Sequence, residues 1–388
     1  MNIFDKATLT NCTVIETKKH IDRVDILRGI AIICVFLFHA QEFLFPKFKL
    51  GDNTGKTGLL NLLPTAYGWT GVELFLLVSG FVIHLGFLSG NQQFNLSVFY
   101  SKRFWRIYPP YLLSLLIFCF TGAGINYYTH SREGLKDLFA HLFLIHNLFD
   151  RFYYSINGVY WSLALEMQLY LLYPLLLWLR KKYGINKTTL IIWLIMPVSY
   201  GITYFIMSGS KVAQSNFVLN YWGIWALGAL LAERYFNNKI LFKKHRGVIA
   251  FAGFVLIILA GFYVSPALSA LISVIAWLAF FEWVLHAQIN TKAYTLKILI
   301  AIGLCSYSIY LLHEPPLFKM LLWFNILAPK SYLAFVKAIP AFVIIFIVSY
   351  LYYKIIELPS IKLGQYFRRK LNLKSAPHSQ KSTKTDEA

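Results

Sequence analysis

Residues 25–43, DILRGIAIICVFLFHAQEF, form an apolar stretch that carries two strongly polar side chains, Arg28 and His39. A helix of about 20 apolar residues crosses the hydrocarbon core of a bilayer, which is about 30 Å thick. Similar stretches recur along the chain. Of its 388 residues, 57% are hydrophobic and only 14% are charged, and the mean hydropathy is +0.56. These values exclude an ordinary soluble domain and predict an all-α integral membrane protein.

Ten segments are long and apolar enough to be predicted transmembrane helices. They cover residues 26–45, 66–88, 107–124, 158–179, 189–207, 217–235, 248–264, 267–287, 298–316 and 334–356. The segment 135–149 is short and polar, so we expect an amphipathic or re-entrant piece outside the membrane there. The prediction is therefore a bundle of about ten helices over residues 26–356, after an N-terminal segment at 1–25 and before a basic, partly disordered tail at 357–388.

The distribution of Lys and Arg predicts the orientation in the membrane. Cytosolic loops carry the positive excess, and 27 of the 37 Lys and Arg lie on the inner side if the N-terminus is cytosolic. Both termini are therefore expected in the cytosol. The net charge of +20 is spread in short runs between apolar blocks, which argues against nucleic-acid binding. The first 20 residues lack the apolar core of a secretory signal, so the first span is expected to remain as an anchor.

Ionisable side chains inside predicted spans need a reason, because each costs roughly 2.5–3.5 kcal/mol to insert. Arg28 and His39 are eleven residues apart and share one face of the first helix, with Glu42 one turn beyond His39. Depths similar to that of His39 are predicted for polar side chains of three other spans: Glu73, Glu166, Tyr310 and His313. The combination predicts a common cavity, although snorkelling would explain Arg28 alone and interhelical hydrogen bonds would explain one or two of the others.

Arg103 and Arg106 lie one helical turn apart at the cytosolic rim, in the stretch FYSKRFWRIYPPY. Pro109 and Pro110 are expected to open the third span, since proline suits the first turn of a helix. Arginine binds phosphate through two parallel hydrogen bonds, so the pair is a candidate site for a phosphorylated cosubstrate. Ordinary positive-inside charge is the alternative. The four cysteines and ten histidines form no known ligand pattern, so no metal is expected.

In combination, these motifs resemble the acyltransferase-3 family of membrane acyltransferases, which includes O-acetyltransferases of bacterial surface polysaccharides. The resemblance runs from about Arg23 to Pro359. It rests on the R-x10-H pattern of Arg28 and His39, GVELFLLVSGF with Ser79 and Gly80, RFWRIYPPY, W-S-L-x-x-E at 161–166, SYSIYLLH ending at His313, and E-L-P at 357–359. Each motif is loose alone, whereas their order along the chain is specific.

The resemblance implies a multi-pass O-acetyltransferase of the bacterial inner membrane that moves an acetyl group from cytosolic acetyl-CoA to a carbohydrate hydroxyl. The carbohydrate would be a surface or lipid-linked glycan, such as the O-antigen of lipopolysaccharide, held by the outer mouth of the bundle and by residues 125–157. The catalytic residues implied are Arg28, His39, Glu166 and Glu73. The residues implied for binding acetyl-CoA are Arg103, Arg106, Ser79, Tyr307, Tyr310 and His313.

A neutral histidine can take the proton of a hydroxyl at physiological pH. We therefore expect His39 to be the general base, oriented by Glu166 or Glu73, while Arg28 guides the pantetheine arm of the donor. Two alternatives stay open at this level. One is a transporter or flippase that uses the buried carboxylates and histidines. The other is an acyltransferase with a different acyl group, or with a lipid or small-molecule acceptor.

Overall fold

The computed structural model describes residues 3–52, 58–206, 217–290, 293–324 and 334–371. Within these ranges the chain is helical and has no β-strand, which confirms the all-α prediction. The helices are α1 Ile3–Leu44, α2 Gly71–Ser89, α3 Leu96–Thr121, α4 Ile125–His130, α5 Arg132–Leu142, α6 Tyr160–Ile206, α7 Val218–Phe236, α8 Arg246–Tyr263, α9 Pro266–His286, α10 Tyr294–Leu304, α11 Ser306–Leu312, α12 Glu314–Trp323, α13 Ala334–Lys337, α14 Ile339–Tyr352 and α15 Leu358–Lys370. Short 3-10 turns lie at Leu59–Leu62, Pro64–Thr70 and His146–Leu148, and a π-helical turn lies at Tyr353–Glu357.

Seven of the described helical segments are long and apolar enough to cross a membrane. The number becomes eight if α10 and α11, which are bent by 60° at their junction, form one broken span. Each of the ten predicted segments overlaps a described helix. Helix α7 is less apolar than these seven and carries Glu233 and Arg234 near its end. Neighbouring helices bury most of its side chains, so little of its surface would face lipid. A membrane helical bundle is therefore supported, whereas the count of ten spans and the cytosolic termini remain predictions.

Helix α6 covers two of the predicted spans. Its helical geometry is interrupted at Gly184, where φ is 77° and ψ is 160°. A positive φ suits glycine because glycine has no Cβ to clash with the backbone. The interruption lies in RKKYGINK, where the sequence predicts the connection between the fourth and fifth spans.

Helix α3 begins eleven residues before the predicted third span, so the expectation that Pro109 and Pro110 open this helix is wrong. The side chain of Asn95 caps the helix start by accepting a hydrogen bond from the backbone N–H of Val98 at 3.0 Å. Pro109 then lies in the interior and cannot donate to the carbonyl of residue 105, four positions earlier. The hydroxyl of Ser360 donates to that carbonyl instead, which makes the interior proline tolerable.

The segment 135–149 does not span the membrane in this structure. Its helix, α5, has 11 residues and is therefore only about 16 Å long, which is too short to cross. Asp137 and His141 are buried against the bundle, whereas Phe139 and Phe143 are exposed on the other side. These features agree with the predicted amphipathic piece outside the membrane.

Helix α2 packs directly against α7 through glycines. A Cβ on Gly80 would lie 2.1 Å from the carbonyl oxygen of Trp225, and a Cβ on Gly228 would lie 2.2 Å from that of Leu77. Such backbone contact is typical of membrane helices, where small residues let helices approach closely. The approach brings Ser79 of α2 next to α6 and α7.

Helix α15 extends the last predicted span beyond residue 356. It lies along α3, where the rings of Trp105 and Phe367 are stacked with centroids 5.4 Å apart. The predicted tail at 357–388 therefore begins with an ordered helix that ends at Lys370. The rest of that tail, from residue 372, lies outside the described residues.

Candidate active site

A cavity of about 100 Å³ lies among helices α1, α2, α3, α6 and α11. Its volume accommodates several water molecules or a slender chain. Seven of its lining residues are those that the sequence singles out: Arg28, Ser79, Arg103, Arg106, Glu166, Tyr307 and Tyr310. The structure thus brings together side chains from five helices that are far apart in sequence.

Three guanidinium groups line the cavity, those of Arg28, Arg103 and Arg106. Arg28 forms an ion pair of 3.3 Å with the buried Asp25 on the same helix. Arg103 lies over the rings of Tyr170 and Phe99, with 5.5 Å and 5.7 Å to the ring centroids. Nε of Arg103 is buried and has no hydrogen-bond partner in the described part of the chain. An anionic group bound in the cavity would satisfy that donor, which is the chemistry of the phosphates of an acyl-CoA.

Tyr170 connects three helices behind the guanidinium groups. Its hydroxyl donates a hydrogen bond to Glu166 at 2.5 Å and lies 3.4 Å from the hydroxyl of Ser79. The indole N–H of Trp225 donates to Ser79 at 3.3 Å. Tyr170 is a further residue of the site that was not predicted from the sequence. Its position four residues after Glu166, hence on the same helix face, is the signal that could have identified it.

The two tyrosines of α11 close the cavity. The hydroxyl of Tyr307 donates to the carbonyl of Ile107 on α3 at 2.8 Å, and that of Tyr310 donates to the carbonyl of Val159 at 2.8 Å. The ring of Tyr310 also packs against His313, with 5.8 Å between ring centroids. Tyr310 therefore lies between the cavity and a second polar cluster.

This second cluster contains His39 and His313, whose ring centroids are 5.4 Å apart. Neither ring lines the cavity. Nδ1 of His39 lies 3.0 Å from the carboxylate of Glu42. The predicted proximity of His39 to His313 is therefore observed. The predicted common cavity is not, because only Glu166 and Tyr310 of its expected members line the cavity.

The carboxylates that were expected to orient His39 lie elsewhere. Glu166 accepts from Tyr170, and Glu73 is buried and accepts a hydrogen bond from the hydroxyl of Ser273 on α9. Glu73 also does not line the cavity. The expected orienting role of Glu166 or Glu73 is therefore wrong in this structure, because equal depth on different helices does not specify which neighbour a side chain faces.

Glu314 is a second carboxylate beside the histidine cluster that sequence reasoning missed. It is close enough to His39 and Glu42 to interact with them electrostatically. Its carboxylate lies against Gly158, where a Cβ would come within 2.6 Å of Oε1. The signal in the sequence is an acidic residue at the first position of α12, where the helix dipole favours negative charge.

The fold and the site define a helical membrane protein with a guanidinium-lined cavity and, beyond Tyr310, a cluster of histidines and carboxylates. The chain belongs to the acyltransferase-3 family, whose model, described as an acyltransferase domain, matches residues 21–354. The protein is therefore an acyltransferase, which decides against the transporter alternative.

Several curated proteins are similar to this chain. Peptidoglycan O-acetyltransferase OatA of Listeria monocytogenes is 25% identical over 388 residues, covering 91% of this chain and 58% of OatA. Acyltransferase MdmB of Streptomyces mycarofaciens is 29% identical over 42% of this chain and 40% of its own length. Nodulation protein 10 of Rhizobium leguminosarum is 29% identical over 42% of this chain and 46% of its own length. The matched regions thus cover 40–58% of these three relatives. No solved structure matches it.

Proposed function

We propose that this protein is an O-acetyltransferase that moves an acetyl group from acetyl-CoA to a hydroxyl of a carbohydrate at the outer face of a bacterial inner membrane. Family membership and the name of OatA, whose similarity covers 91% of this chain, support the reaction class and the kind of acceptor. The excess of Lys and Arg at the predicted inner side supports cytosolic termini and a cytosolic donor.

The guanidinium cavity is the proposed donor site. Arg103 and Arg106 would contact the phosphates of acetyl-CoA. Nε of Arg103, which has no hydrogen-bond partner within the described ranges, supports this assignment. Arg28 would guide the pantetheine arm along the face of α1 that leads to His39. The rise between Arg28 and His39 is about 16 Å along the helix. Tyr310, Ser79 and the other lining residues would enclose the arm.

His39 is the proposed general base. Its Nδ1 faces a carboxylate, which can only accept, so Nδ1 carries the proton and Nε2 is left as a bare acceptor. Nε2 takes the proton of the acceptor hydroxyl while its oxygen bonds to the acetyl carbon. The carbon–sulfur bond of the thioester then breaks, and the proton passes from His39 to the departing thiolate, giving the ester and free CoA.

The observation that carries the proposal is the arrangement on α1, where Arg28 lines the cavity and His39, on the same face, is oriented by Glu42. The test is acetyl transfer by the full chain in lipid nanodiscs, supplied with acetyl-CoA and candidate glycans. We expect release of free CoA and a glycan heavier by one acetyl group, both detected by mass spectrometry.

His39→Gln is expected to lower the transfer rate by about 10²–10⁴, which is typical for loss of a general base. A folded His39→Gln protein that transfers acetyl at the wild-type rate would remove His39 from the mechanism. Absence of CoA release with every glycan would contradict the proposed function itself.

A further inference from the structure

The ring of His313 is fully buried, and its two nitrogens have different surroundings. Nδ1 lies 3.1 Å from the carbonyl oxygen of Ile309 and 3.0 Å from that of Tyr310. Both neighbours are acceptors, so Nδ1 must carry a proton and donate it. A neutral imidazole has only one N–H, and Nε2 is therefore a bare acceptor.

Nε2 of His313 has no hydrogen-bond partner among the described residues. A buried acceptor without a donor is rare in folded proteins because it has lost its bonds to water. Since Nδ1 faces the backbone of its own helix, the edge that carries Nε2 faces away from α11. The rings of α1 that contact His313 are those of Phe36, at 5.7 Å, and His39, at 5.4 Å between centroids.

His39 is the neighbouring imidazole on α1, with 5.4 Å between the two ring centroids. In the neutral ring, Nδ1 donates to Glu42 and Nε2 carries no proton. Phe36 has no polar group and cannot serve either nitrogen. Two neighbouring rings, each with an acceptor nitrogen, can accept hydrogen bonds from two donors, and a hydroxyl donates at about 2.8 Å. Rings 5.4 Å apart are close enough to accept from two hydroxyls of one small molecule.

We propose that the acceptor binds through two neighbouring hydroxyl groups, the attacked one on Nε2 of His39 and the adjacent one on Nε2 of His313. The inference rests on the proposed function and specifies its acceptor as a carbohydrate with a vicinal diol. His313 takes no proton in the reaction. It accepts a hydrogen bond from the second hydroxyl and thereby orients the first toward His39.

The test uses the full chain in nanodiscs with acetyl-CoA and a panel of methyl hexosides. Each hexoside is paired with the monodeoxy sugar that lacks the hydroxyl next to the acetylated position. Free CoA and acetylated sugar are measured by mass spectrometry. The wild type is expected to lose about 10- to 100-fold in kcat/KM on the deoxy sugar, because Nε2 of His313 is then left unpaired.

Variants of His313 separate binding of the hydroxyl from a structural role. His313→Leu is expected to use the two sugars equally well, at the lower rate of the deoxy sugar. His313→Gln keeps an acceptor oxygen and is expected to restore part of the preference. His245→Gln, at an exposed position just before α8 and far from the proposed acceptor site along the chain, is the matched control and should keep the full preference. Thermal unfolding of each variant checks that it is folded.

The outcomes distinguish the inference from the proposed function. Normal CoA release with equal kcat/KM for diol and deoxy sugar in the wild type overturns the two-hydroxyl inference alone. An equal loss on both sugars in His313→Leu also overturns it, because His313 would then hold a water or support the fold. Failure to acetylate any sugar overturns the proposed function and this inference together.

Discussion

The guanidinium of Arg103 lies 5.5 Å from the ring centroid of Tyr170 on α6, and this contact directs the arginine into the cavity. Stacking on an aromatic ring is favourable for arginine and holds its planar fork in one orientation. Tyr170 in turn is fixed by Glu166 and Ser79. The position of Arg103 therefore depends on α2 and α6 as much as on its own helix.

Arg103→Lys is expected to raise KM for acetyl-CoA about 10- to 100-fold with a smaller change in kcat. The lysine keeps the charge but loses the paired hydrogen bonds to phosphate and the stacking on Tyr170, and a hydrogen bond to a charged group contributes about 1.5–3 kcal/mol. Initial rates of CoA release at varied acetyl-CoA measure the effect. Arg132→Lys, exposed on α5, is the control. An unchanged KM would show that Arg103 does not contact the donor.

Glu42→Leu is expected to lower kcat about 10- to 100-fold, because His39 loses the carboxylate that fixes its tautomer and ring orientation. Glu42→Gln retains an oxygen that can accept from Nδ1 and should lose less. The measurement is the single-turnover rate of acetyl transfer at saturating donor. Equal, wild-type rates in both variants would mean that the 3.0 Å contact between His39 and Glu42 has no part in catalysis.

Glu73→Gln and Glu166→Gln should differ in their effect on kcat/KM, although the family resemblance implies a catalytic role for both residues. Glu73 faces Ser273 outside the cavity, and glutamine can still accept that hydrogen bond, so Glu73→Gln is expected to keep the wild-type kcat/KM. Glu166→Gln removes a negative charge among three guanidinium groups and is expected to lower kcat/KM about tenfold or more. CoA release under identical conditions compares them. A larger loss in Glu73→Gln would contradict the placement of these carboxylates.

Gly228→Ala is expected to destabilise the protein by about 1–3 kcal/mol, as overpacking typically does. The new methyl group would lie 2.2 Å from the carbonyl oxygen of Leu77 and would push α7 away from α2. Gly86→Ala is the matched control, since a Cβ there meets no atom within 4 Å. The unfolding temperatures in detergent should fall for the first variant alone. Equal temperatures would show that α2 and α7 are not in backbone contact.

The stability of the region around α5 should depend on pH. The pKa of His146 lies well below its usual value of 6.5, because the ring is buried and lies next to His141. The two rings are stacked with 3.9 Å between their centroids. The other groups facing this pair are Asp137, which is bonded to His141 at 3.0 Å, and Tyr160. Below pH 6.5 the unfolded state binds more protons than the folded one, so stability is complete above that pH and falls as the pH drops.

Hydrogen exchange of residues 132–159 measures this effect at about pH 7.5 and about pH 5.5, with rates corrected for intrinsic exchange. Protection is expected to decrease at the lower pH. His146→Phe keeps a buried ring without a titrating group and should reduce the difference between the two conditions. A pH dependence that is the same in the wild type and in His146→Phe would assign it to other groups.

The sequence by itself determined the class of protein and the polar residues that lie within its apolar segments. The length and apolarity of its blocks predict membrane helices because a bilayer core has a fixed thickness. Helical periodicity places Arg28 and His39 on one face of α1, and the two are found at the cavity and at the histidine cluster, respectively. Both inferences use only local geometry, which a single chain segment specifies.

The tertiary structure alone decided which side chains meet. Periodicity gives the face of a helix but not the neighbour across it, so it could not show that Glu73 faces Ser273, or that Tyr310 separates the cavity from His39. Nor could it show that Ser360, far along the chain, supplies the hydrogen bond that lets Pro109 lie inside α3. The hydrogen bonds from Ser273 to Glu73 and from Ser360 to residue 105 join positions 200 and 255 residues apart, and only the packing of the helices brings them together.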